Sequence, residues 1–380
     1  MATAWLTKRL ATLDAFEVER GYGGDAKDED LIEFVTDGLL TDIDIAGTTP
    51  QEELGNAGFC SLGANLADKV TNLRRLNLRR IGLTSAGFRE VGRLLTRCPA
   101  LEVLDVSYND AGADGLRKDF CEALDDARSL RVLEMRGCGL RDEGLDSLCT
   151  TLERFDEALR PVVAVQKLSL STNHITAEGA RRLARMLSTN LKLEELDLSD
   201  NDLQKAGGEA IASGLVGNKG RLQKLNMSHN RLKAGGARPL LQRFLETDSK
   251  LQICIRRLAG TKHGFVLAGM TVTGLEFLGW VEQHNNNNRS EAVFPGDRIV
   301  EVNGKTDSEE MLYELTVGEV LNIMLLRDGV CMKTLDLCYN LLGTKGSEEL
   351  MAIVGCKRQG SMLGNQVRLD GGRILLMNAY

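Results

Sequence analysis

The sequence predicts an α/β solenoid that is interrupted once by a smaller, mostly-β unit. Three observations predict this fold class. The pattern Leu-x-x-Leu-x-Leu-x-x-Asn-x-Leu recurs along the chain, and its clearest copies begin at Leu193 and Leu222. A helical pattern follows each copy, so every unit supplies one short strand and one helix. The register then breaks, and the next copy begins only at Met332.

The spacing of the copies indicates stacked repeats. Copies begin at residues 73, 101, 130, 165, 193 and 222, which are 28, 29, 35, 28 and 29 residues apart, and a looser copy begins at 40. A fixed period of this size is typical of a solenoid, in which each unit leaves one face bare and needs neighbours to cover it. We therefore expect the copy at 332 to pack on the repeat that begins at 222.

The alternation of side chains along each strand determines which residues face the core. Leu196 and Leu198 point inward, whereas Glu195 and Asp197 point away from the core. The asparagine at the ninth position can bond to backbone groups of the adjacent turn. Ile81 holds that position in one early repeat, so we expect a weaker asparagine ladder near the N-terminal end.

The segments between strands carry a helical pattern with recurrent glycines. In the segment that begins at Thr176, the side chains of Leu183, Met186 and Leu187 share one face. Glycine inside a helix costs about 1 kcal/mol relative to alanine, so its recurrence indicates a packing requirement. We interpret these glycines as points where a helix comes close to a strand. They are Gly87, Gly115, Gly144, Gly179, Gly208, Gly236 and Gly346.

Composition and motif content argue against several function classes. With 43% apolar and 27% charged residues the chain is expected to be soluble and globular, and a net charge of −7 disfavours a wrapped nucleic acid. The sequence has no run of 18 apolar residues, so no membrane span is expected. The nine cysteines lack metal or disulfide spacing, which favours reduced thiols in the cytoplasm and no metal or other cofactor. Because catalytic motifs are missing, we expect a protein that is not an enzyme.

Residues 39–250 and 330–355 resemble the ribonuclease-inhibitor type of leucine-rich repeat, with its 28–29-residue units and full α-helices. The resemblance implies a horseshoe with a parallel inner sheet, outer helices and a concave face that binds a folded protein partner. Acidic residues recur at the fifth repeat position, and a cluster of arginines lies near the N-terminal end. These charged residues either bind a partner of complementary charge or keep the surface of the solenoid hydrated. The candidate concave-face residues are Arg75, Arg79, Asp105, Glu134, Glu195, Asp197, Lys224, Asn226 and Asp336.

Residues 251–329 lose the repeat and predict a mostly-β unit. An alternating strand leads into the Asn303-Gly304 turn, a short helix is expected over 307–315, and a polar linker is expected over 284–290. Residue 251 also lies 29 residues after 222, so an eighth repeat that starts there is the alternative. The other expected strands cover residues 251–255, 266–269, 276–281 and 320–326.

The stretch from Gly296 to Gly304 is similar to the Gly-Asp-x-Ile-x-x-Val-Asn-Gly run of PDZ domains. The resemblance implies a groove that takes a partner's C-terminal peptide as an extra strand, with its carboxylate held by loop backbone N–H groups. Two positions depart from that family's pattern: His263 replaces an apolar loop residue, and Ser308 replaces the histidine that often begins the helix. The implied groove residues are His263, Gly264, Phe265, Val266, Leu267, Ser308 and Leu312.

Together these features predict four segments and a binding function. The segments are a helical N-terminal cap over 1–38, repeats over 39–250, a PDZ-like domain over 251–329, and a final repeat with a C-terminal cap over 330–380. We expect a scaffold that binds a folded protein on the concave face and a peptide terminus in the groove. The alternatives are a regulator of a small GTPase, since Ran GTPase-activating proteins use this repeat type, and a structural component of a cytoskeletal assembly.

Overall fold

The structure is a computed structural model of the 380-residue chain. The helical cap expected over 1–38 lies outside the residues that the structure describes. The described residues are 41–47, 54–66, 71–112, 114–116, 119–154, 163–190, 192–218, 222–244, 248–256, 263–276, 279–287, 293, 297–328, 332–356, 365–369 and 373–377.

A continuous sheet of ten short strands runs along the described part of the repeat array. In spatial order the strands, numbered along the chain, are β1 (Asp42–Asp44), β2 (Arg75–Asn77), β3 (Val103–Asp105), β4 (Val132–Glu134), β5 (Lys167–Ser169), β6 (Glu195–Asp197), β7 (Lys224–Asn226), β13 (Thr334–Asp336), β14 (Asn365–Leu369) and β15 (Arg373–Met377). The first nine run parallel, and β15 pairs antiparallel with β14 at the end. The predicted parallel sheet is confirmed.

Helices alternate with these strands, as the repeat pattern predicts. The helices of the array are α1 (Gly55–Leu66), α2 (Ser85–Leu95), α3 (Asp119–Asp126), α4 (Arg141–Leu152), α5 (Ala177–Thr189), α6 (Gln204–Asn218), α7 (Lys233–Phe244) and α10 (Gly343–Cys356). Helix α5 begins where the Thr176 side chain accepts a hydrogen bond from the Glu178 N–H, an ordinary N-cap. Its expected apolar face is confirmed, because Leu183, Met186 and Leu187 are all fully buried.

The asparagine ladder ties successive repeats together, as predicted. Asn201 Oδ1 accepts hydrogen bonds from the backbone N–H groups of Asn173 at 2.9 Å and Ile175 at 3.0 Å, both in the preceding repeat. Its amide nitrogen donates to the carbonyl oxygens of Leu170 and Leu198, each at 3.0 Å. One buried side chain thus satisfies four backbone groups from two repeats, which fixes their relative position.

The ladder is thinner toward the N-terminal end, where the ninth position changes residue type. Ile81 is fully buried and brings no polar group, although its own N–H is bonded by Asn109 Oδ1 of the next repeat at 3.2 Å. Cys138 retains a weaker version of the contact, since its Sγ–H donates to the carbonyl oxygen of Val106 at 3.3 Å.

Gly208 and Gly236 bring neighbouring helices together, so the expectation of helix-to-strand contact is wrong at these two positions. A Cβ on Gly208 in α6 would lie 2.6 Å from the carbonyl oxygen of Gly236 in α7. A Cβ on Gly236 would lie 2.9 Å from the Cα of Lys205 in α6. Because both obstacles are backbone atoms, any side chain at these positions would push adjacent helices apart.

The repeat array continues across the interruption of the sequence pattern. Strand β13 pairs in parallel with β7, and α10 packs against α7. Asn340 Oδ1 accepts a hydrogen bond from the Asn230 N–H at 3.0 Å, which is the same ladder contact that earlier repeats make. The expectation that the copy beginning at Met332 packs on the repeat beginning at Leu222 is confirmed.

Between α7 and β13 the chain forms a second sheet of five strands, which with two helices is here called the inserted unit. Its elements are β8 (Asp248–Arg256), β9 (Phe265–Ala268), β10 (Thr271–Leu275), α8 (Trp280–Asn287), β11 (Asp297–Val302), α9 (Ser308–Val317) and β12 (Val320–Asp328). The order is β8-β12-β11-β10-β9, every pair is antiparallel, and the unit has its own buried apolar cluster. An eighth repeat from Leu251 is excluded, because that residue lies inside β8 opposite Leu325.

One predicted strand and one predicted linker in the inserted unit are wrong. The strand expected over 276–281 is absent from the described residues there, since β10 ends before it and α8 begins at Trp280. Trp280 and its neighbour Val281 are both buried in the unit's core, and a short apolar run of this kind cannot be assigned to strand or helix by pattern alone. The expected polar linker begins inside α8, where His284 is buried.

The predicted helix and turn of the inserted unit are confirmed. Helix α9 is capped by Asp307, whose side chain accepts hydrogen bonds from the N–H groups of Glu309 at 2.9 Å and Glu310 at 3.2 Å. Asn303 and Gly304 have φ angles of 49° and 80°, the left-handed pair that a two-residue Asn-Gly turn requires.

Candidate functional site

The strands of the repeat sheet place charged side chains on the sheet surface turned away from the helices, here called the concave face. Leu196 is 2% exposed, so its neighbours Glu195 and Asp197 point to the other side of β6. The parallel register sets Glu195 between Lys167 and Lys224. All of the predicted concave-face residues except Arg79 lie on these strands, namely Arg75, Asp105, Glu134, Glu195, Asp197, Lys224, Asn226 and Asp336.

A network of ion pairs covers the middle and C-terminal part of the concave face. Glu195 Oε1 bonds Lys167 Nζ at 3.1 Å and Lys224 Nζ at 2.7 Å. Burial pushes the pKa of Glu195 upward, but the hydrogen bonds from the two lysines outweigh it and hold the pKa below its usual range. Arg136 Nη2 bonds Asp197 Oδ2 at 2.9 Å. The lysines and Arg136 are therefore held in place before any partner binds.

Glu134 lies beside this network. It lines a concave-face cavity of about 440 Å³ together with Arg136, Glu195 and Asp197. Burial raises the pKa of its carboxyl, and the nearby carboxylates of Asp105 and Asp197 add to the rise, whereas the Ser169 hydroxyl and the Arg136 guanidinium oppose it. The hydroxyl of Ser169, directly across the strand pair from Glu134, is 4% exposed.

The arginines near the N-terminal end are distributed between strand and turn. Arg75 lies on β2 with its Nε 3.5 Å from Asp42. Arg79 follows the strand, and its guanidinium lies 4.5 Å from the centre of the Tyr108 ring, with that of Arg80 at 5.3 Å. This arrangement is a cation–π contact, so the predicted basic patch is organised around one aromatic ring.

Sequence reasoning missed several residues that build this face. Arg136 follows β4 at the seventh repeat position, and its reach to Asp197 on β6 is visible only once the strands are stacked. Arg368 lies on β14, which carries no recognisable repeat, and pairs with Asp336 at 3.6 Å. Tyr108 could have been found, since it is the aromatic residue at the eighth position beside the arginines.

In the inserted unit, the predicted groove residues lie on the edge strand and the second helix. Strand β9 pairs only with β10 among the described strands, so its outer edge has no strand partner there. Val266 on β9 and Leu312 on α9 are 43% and 44% exposed. Leu267 is half-buried, and Ser308 is the exposed first residue of α9. Phe265, in contrast, is buried in the core of the unit.

In the loop before β9, one backbone N–H group is already hydrogen-bonded to the loop's own histidine. The backbone N–H of Phe265, one of the expected carboxylate donors, donates to His263 Nδ1 at 2.9 Å. Gly264 has a φ of 85°, and a Cβ there would lie 2.7 Å from the Cα of Gly279. The loop therefore needs glycine at this position, and a ligand carboxylate would have to displace the imidazole ring to reach the Phe265 N–H.

Comparison with known proteins agrees with the repeat architecture. The family described as Leucine Rich repeat matches residues 126–149, 165–184, 189–212 and 222–241. The ribonuclease inhibitor of Sus scrofa is 28% identical over 207 residues, which cover 54% of this chain and 44% of that protein. The human NACHT, LRR and PYD domains-containing protein 13 is 30% identical over 178 residues, covering 40% of this chain and 16% of that protein.

Four segments of the chain match leucine-rich repeats, and the array is similar in sequence to the ribonuclease inhibitors. The match spans less than half the length of the ribonuclease inhibitors, at 44% of the pig and 42% of the mouse protein. Among solved structures, one titled Leiomodin-1 Actin-Binding Site 2 is similar with a TM-score of 0.35 and 22% identity, covering 41% of this chain and 86% of that one.

The described residues lack two features. None of the described helices combines the length and apolar character needed to cross a membrane. The same residues hold no group of three or more histidine, cysteine, aspartate or glutamate side chains arranged to bind a metal ion.

Proposed function

We propose that the protein is a non-enzymatic scaffold of the cytoplasm that binds a folded protein on its concave face. The observation that carries this proposal is the pre-assembled ion-pair network around Glu195, Lys167 and Lys224 beside an open cavity. Fixed charges of both signs give specificity and steer association, because a partner must match their order. Leucine-rich repeats also commonly serve in protein binding, and the free thiols among the described cysteines suit a reducing compartment.

Capture of partners from a cell extract tests this proposal when matched charge reversals are compared. Lys167→Glu with Lys224→Glu reverses two cations on the concave face and should weaken capture at least tenfold, since close charge pairs contribute about 1.5–7 kcal/mol at interfaces. The control is Lys205→Glu on α6, where the lysine pairs with Glu209 at 3.5 Å on the helical side. Equal capture by the double variant and the control would refute the concave face as the binding surface.

We further propose that the inserted unit is a PDZ-like domain whose groove takes a peptide with a free C-terminus. Support comes from the open edge of β9, from exposed Val266 and Leu312, and from the antiparallel order of the sheet. A bound peptide would add to β9 as a further strand. Because the Phe265 N–H already donates to His263 Nδ1, removing the imidazole ring should free this donor and strengthen peptide binding.

A peptide library with free and amidated C-termini tests the groove. We expect only the peptides with a free C-terminal carboxylate to bind. Their affinity should rise in His263→Ala and be lost in Leu312→Lys. Tyr313→Lys is the matched control, because Tyr313 is 65% exposed on the same helix but is not a predicted groove residue. Equal binding of free and amidated peptides, or equal loss of binding in Leu312→Lys and Tyr313→Lys, would refute the groove. Separately, removal of residues 255–330 with a short linker should leave a cooperatively folded array, since β13 already pairs with β7.

A further inference from the structure

The second helix of the inserted unit, α9, exposes apolar side chains on two sides. It buries Met311 and Leu315 in the core of the unit, so the opposite side of the helix faces away from the core. Successive residues are about 100° apart around a helix, which places Leu312 toward one flank, Val317 toward the other and Tyr313 between them. The helix therefore has a side that carries Leu312, a predicted groove residue, and an outer side that carries Tyr313 and Val317.

The outer side continues into the next strand as one apolar surface. Tyr313 and Val317 lie one turn apart on the helix, and Val320 is the first residue of β12. The side-chain amide of Asn303 donates to Glu314 Oε2 at 2.8 Å and to the carbonyl oxygen of Val320 at 3.0 Å, which fixes the end of the helix against the strand. Tyr313, Val317 and Val320 are here called the outer stripe. Of the eight large apolar side chains that are exposed in the described part of the chain, these are three, so exposed apolar surface is concentrated at this place.

Acidic side chains surround the outer stripe. Four carboxylates lie within four residues of it along the chain, namely Glu309, Glu310, Glu314 and Glu319. Two cations lie beside them: Lys305 pairs with Glu310 at 3.2 Å, and Arg256 lies opposite Val320 on β8. The excess of carboxylates disfavours a second copy of the same stripe and any anionic surface, because like charges would face each other. A partner with an apolar face and a basic border has the complementary pattern.

We propose that the outer stripe binds an amphipathic helix of a partner protein, with the apolar side of that helix on Tyr313 and Val317 and its lysines or arginines beside the surrounding carboxylates. Such a helix presents apolar side chains three and four residues apart, a spacing that matches a stripe formed on a helix. Tyrosine is a frequent anchor of protein interfaces, because it combines a large apolar ring with a hydroxyl. This surface is separate from both the concave face and the peptide groove.

The test uses the full chain and a dye-labelled helical probe, acetyl-Leu-Lys-Lys-Leu-Leu-Lys-Leu-Leu-Lys-Lys-Leu-Leu-Lys-Leu-amide, with a second version in which glutamate replaces every lysine. Both ends of each probe are blocked, so neither probe presents a free carboxylate to the groove. We expect fluorescence anisotropy to show binding of the lysine probe and not of the glutamate probe. Affinity for the lysine probe should fall about tenfold or more in Tyr313→Ser with Val317→Ser.

The matched control is Tyr339→Ser with Leu341→Ser, which removes another pair of exposed apolar side chains, in the turn after β13 of the repeat array. This variant should bind the lysine probe as the unchanged protein does. Glu309→Gln with Glu319→Gln should weaken binding at low salt and have a smaller effect at high salt, because exposed charges are screened there. Circular dichroism of each variant checks that the fold is retained.

Three results would overturn the inference. The first is no binding of the lysine probe, or an equal response to the glutamate probe. The second is an affinity that the stripe variant and the control variant change to the same extent. The third is self-association of the full chain, measured by sedimentation, that Tyr313→Ser with Val317→Ser abolishes, since the stripe would then bind a second copy. None of these results bears on the concave face or the groove, because the probe and the variants avoid both.

Discussion

Replacement of Asn340 by alanine should uncouple the last repeat from the array. Asn340 is fully buried, and its Oδ1 accepts hydrogen bonds from the N–H groups of Asn230 at 3.0 Å and Leu232 at 3.2 Å. Its amide donates to the carbonyl oxygens of Met227 at 2.8 Å and Leu337 at 3.0 Å. Three of these four partners belong to the repeat that precedes the inserted unit, so the side chain holds the array together where the sequence is interrupted.

The expected loss of stability follows from the backbone groups that Asn340→Ala would leave without a hydrogen bond. Two buried backbone N–H donors lose their acceptor, and each unsatisfied buried group costs about 1–3 kcal/mol. The carbonyl oxygens lose a second donor at a smaller cost, so Asn340→Ala should lower the free energy of unfolding by about 2–6 kcal/mol. Against the 5–15 kcal/mol that is usual for a whole domain, this loss is large enough to open the C-terminal repeat first.

Urea unfolding, followed by circular dichroism together with native-state hydrogen exchange, measures this effect. Asn226→Ala is the matched control, because that asparagine lies on β7 and its Oδ1 accepts from the backbone N–H and the hydroxyl of Ser228, at 3.1 and 2.8 Å, two bonds within one repeat. We expect the control to lose about 1 kcal/mol or less, and exchange in Asn340→Ala to rise selectively in β13 and α10. If the two variants lose the same stability, or if exchange rises uniformly, the ladder does not hold the array across the interruption.

Three further predictions concern packing, charge and thiols. Gly208→Ala should destabilise by about 1–3 kcal/mol because its Cβ would meet the backbone of the next helix, measured by chemical unfolding. Glu134→Gln should stabilise the protein at neutral pH, because the pKa of the Glu134 carboxyl is higher in the folded than in the unfolded state. The contribution of Glu134 to stability is therefore present at low pH and is lost as the pH rises through the folded pKa. Alkylation at pH 8 should modify exposed Cys254 in the native protein but spare four thiols whose pKa is raised by burial, Cys98, Cys121, Cys138 and Cys149.

Each of these predictions has an internal control. Gly63→Ala, also inside a helix, has no atom within 4 Å of the new Cβ and should stabilise by up to about 1 kcal/mol, so equal losses at both glycines would contradict the packing argument. The advantage of Glu134→Gln should vanish in acid, and a gain that persists there would contradict the electrostatic cause. Modification of the four buried cysteines should require denaturant, and their rapid reaction in the native protein would contradict their protection by burial.

The sequence anticipated the repeat array in detail but the inserted unit only in part. Leucines such as Leu196 and asparagines such as Asn201 predict their own roles, because one strand and one turn suffice to define them. Helix α8 could not be predicted in this way, since the short apolar run around Trp280 suits either a strand or a helix. The glycines were recognised as close contacts, but the sequence does not say which element of which repeat they touch.

The candidate site shows the same division between local and assembled features. From the sequence alone, Asp105, Glu134 and Asp197 form a stripe of equivalent positions, and nothing distinguishes one from another. Stacking brings the guanidinium of Arg136 within 2.9 Å of Asp197, whereas burial raises the pKa of Glu134, so the two carboxylates acquire different environments. The same holds for the Phe265 N–H, whose acceptor on His263 depends on how the loop folds.

The repeat length, the buried and exposed positions of each strand, and the place where the register breaks therefore follow from the amino-acid sequence alone. These properties repeat within 28 or 29 residues, and the periodicity of a strand and a helix records them directly. Stacking of the repeats sets which charged side chains pair and which helices touch through glycine. Those outcomes depend on distances between residues that lie tens of positions apart in the chain, such as Arg136 and Asp197, and stacking of the repeats is what brings them within bonding range.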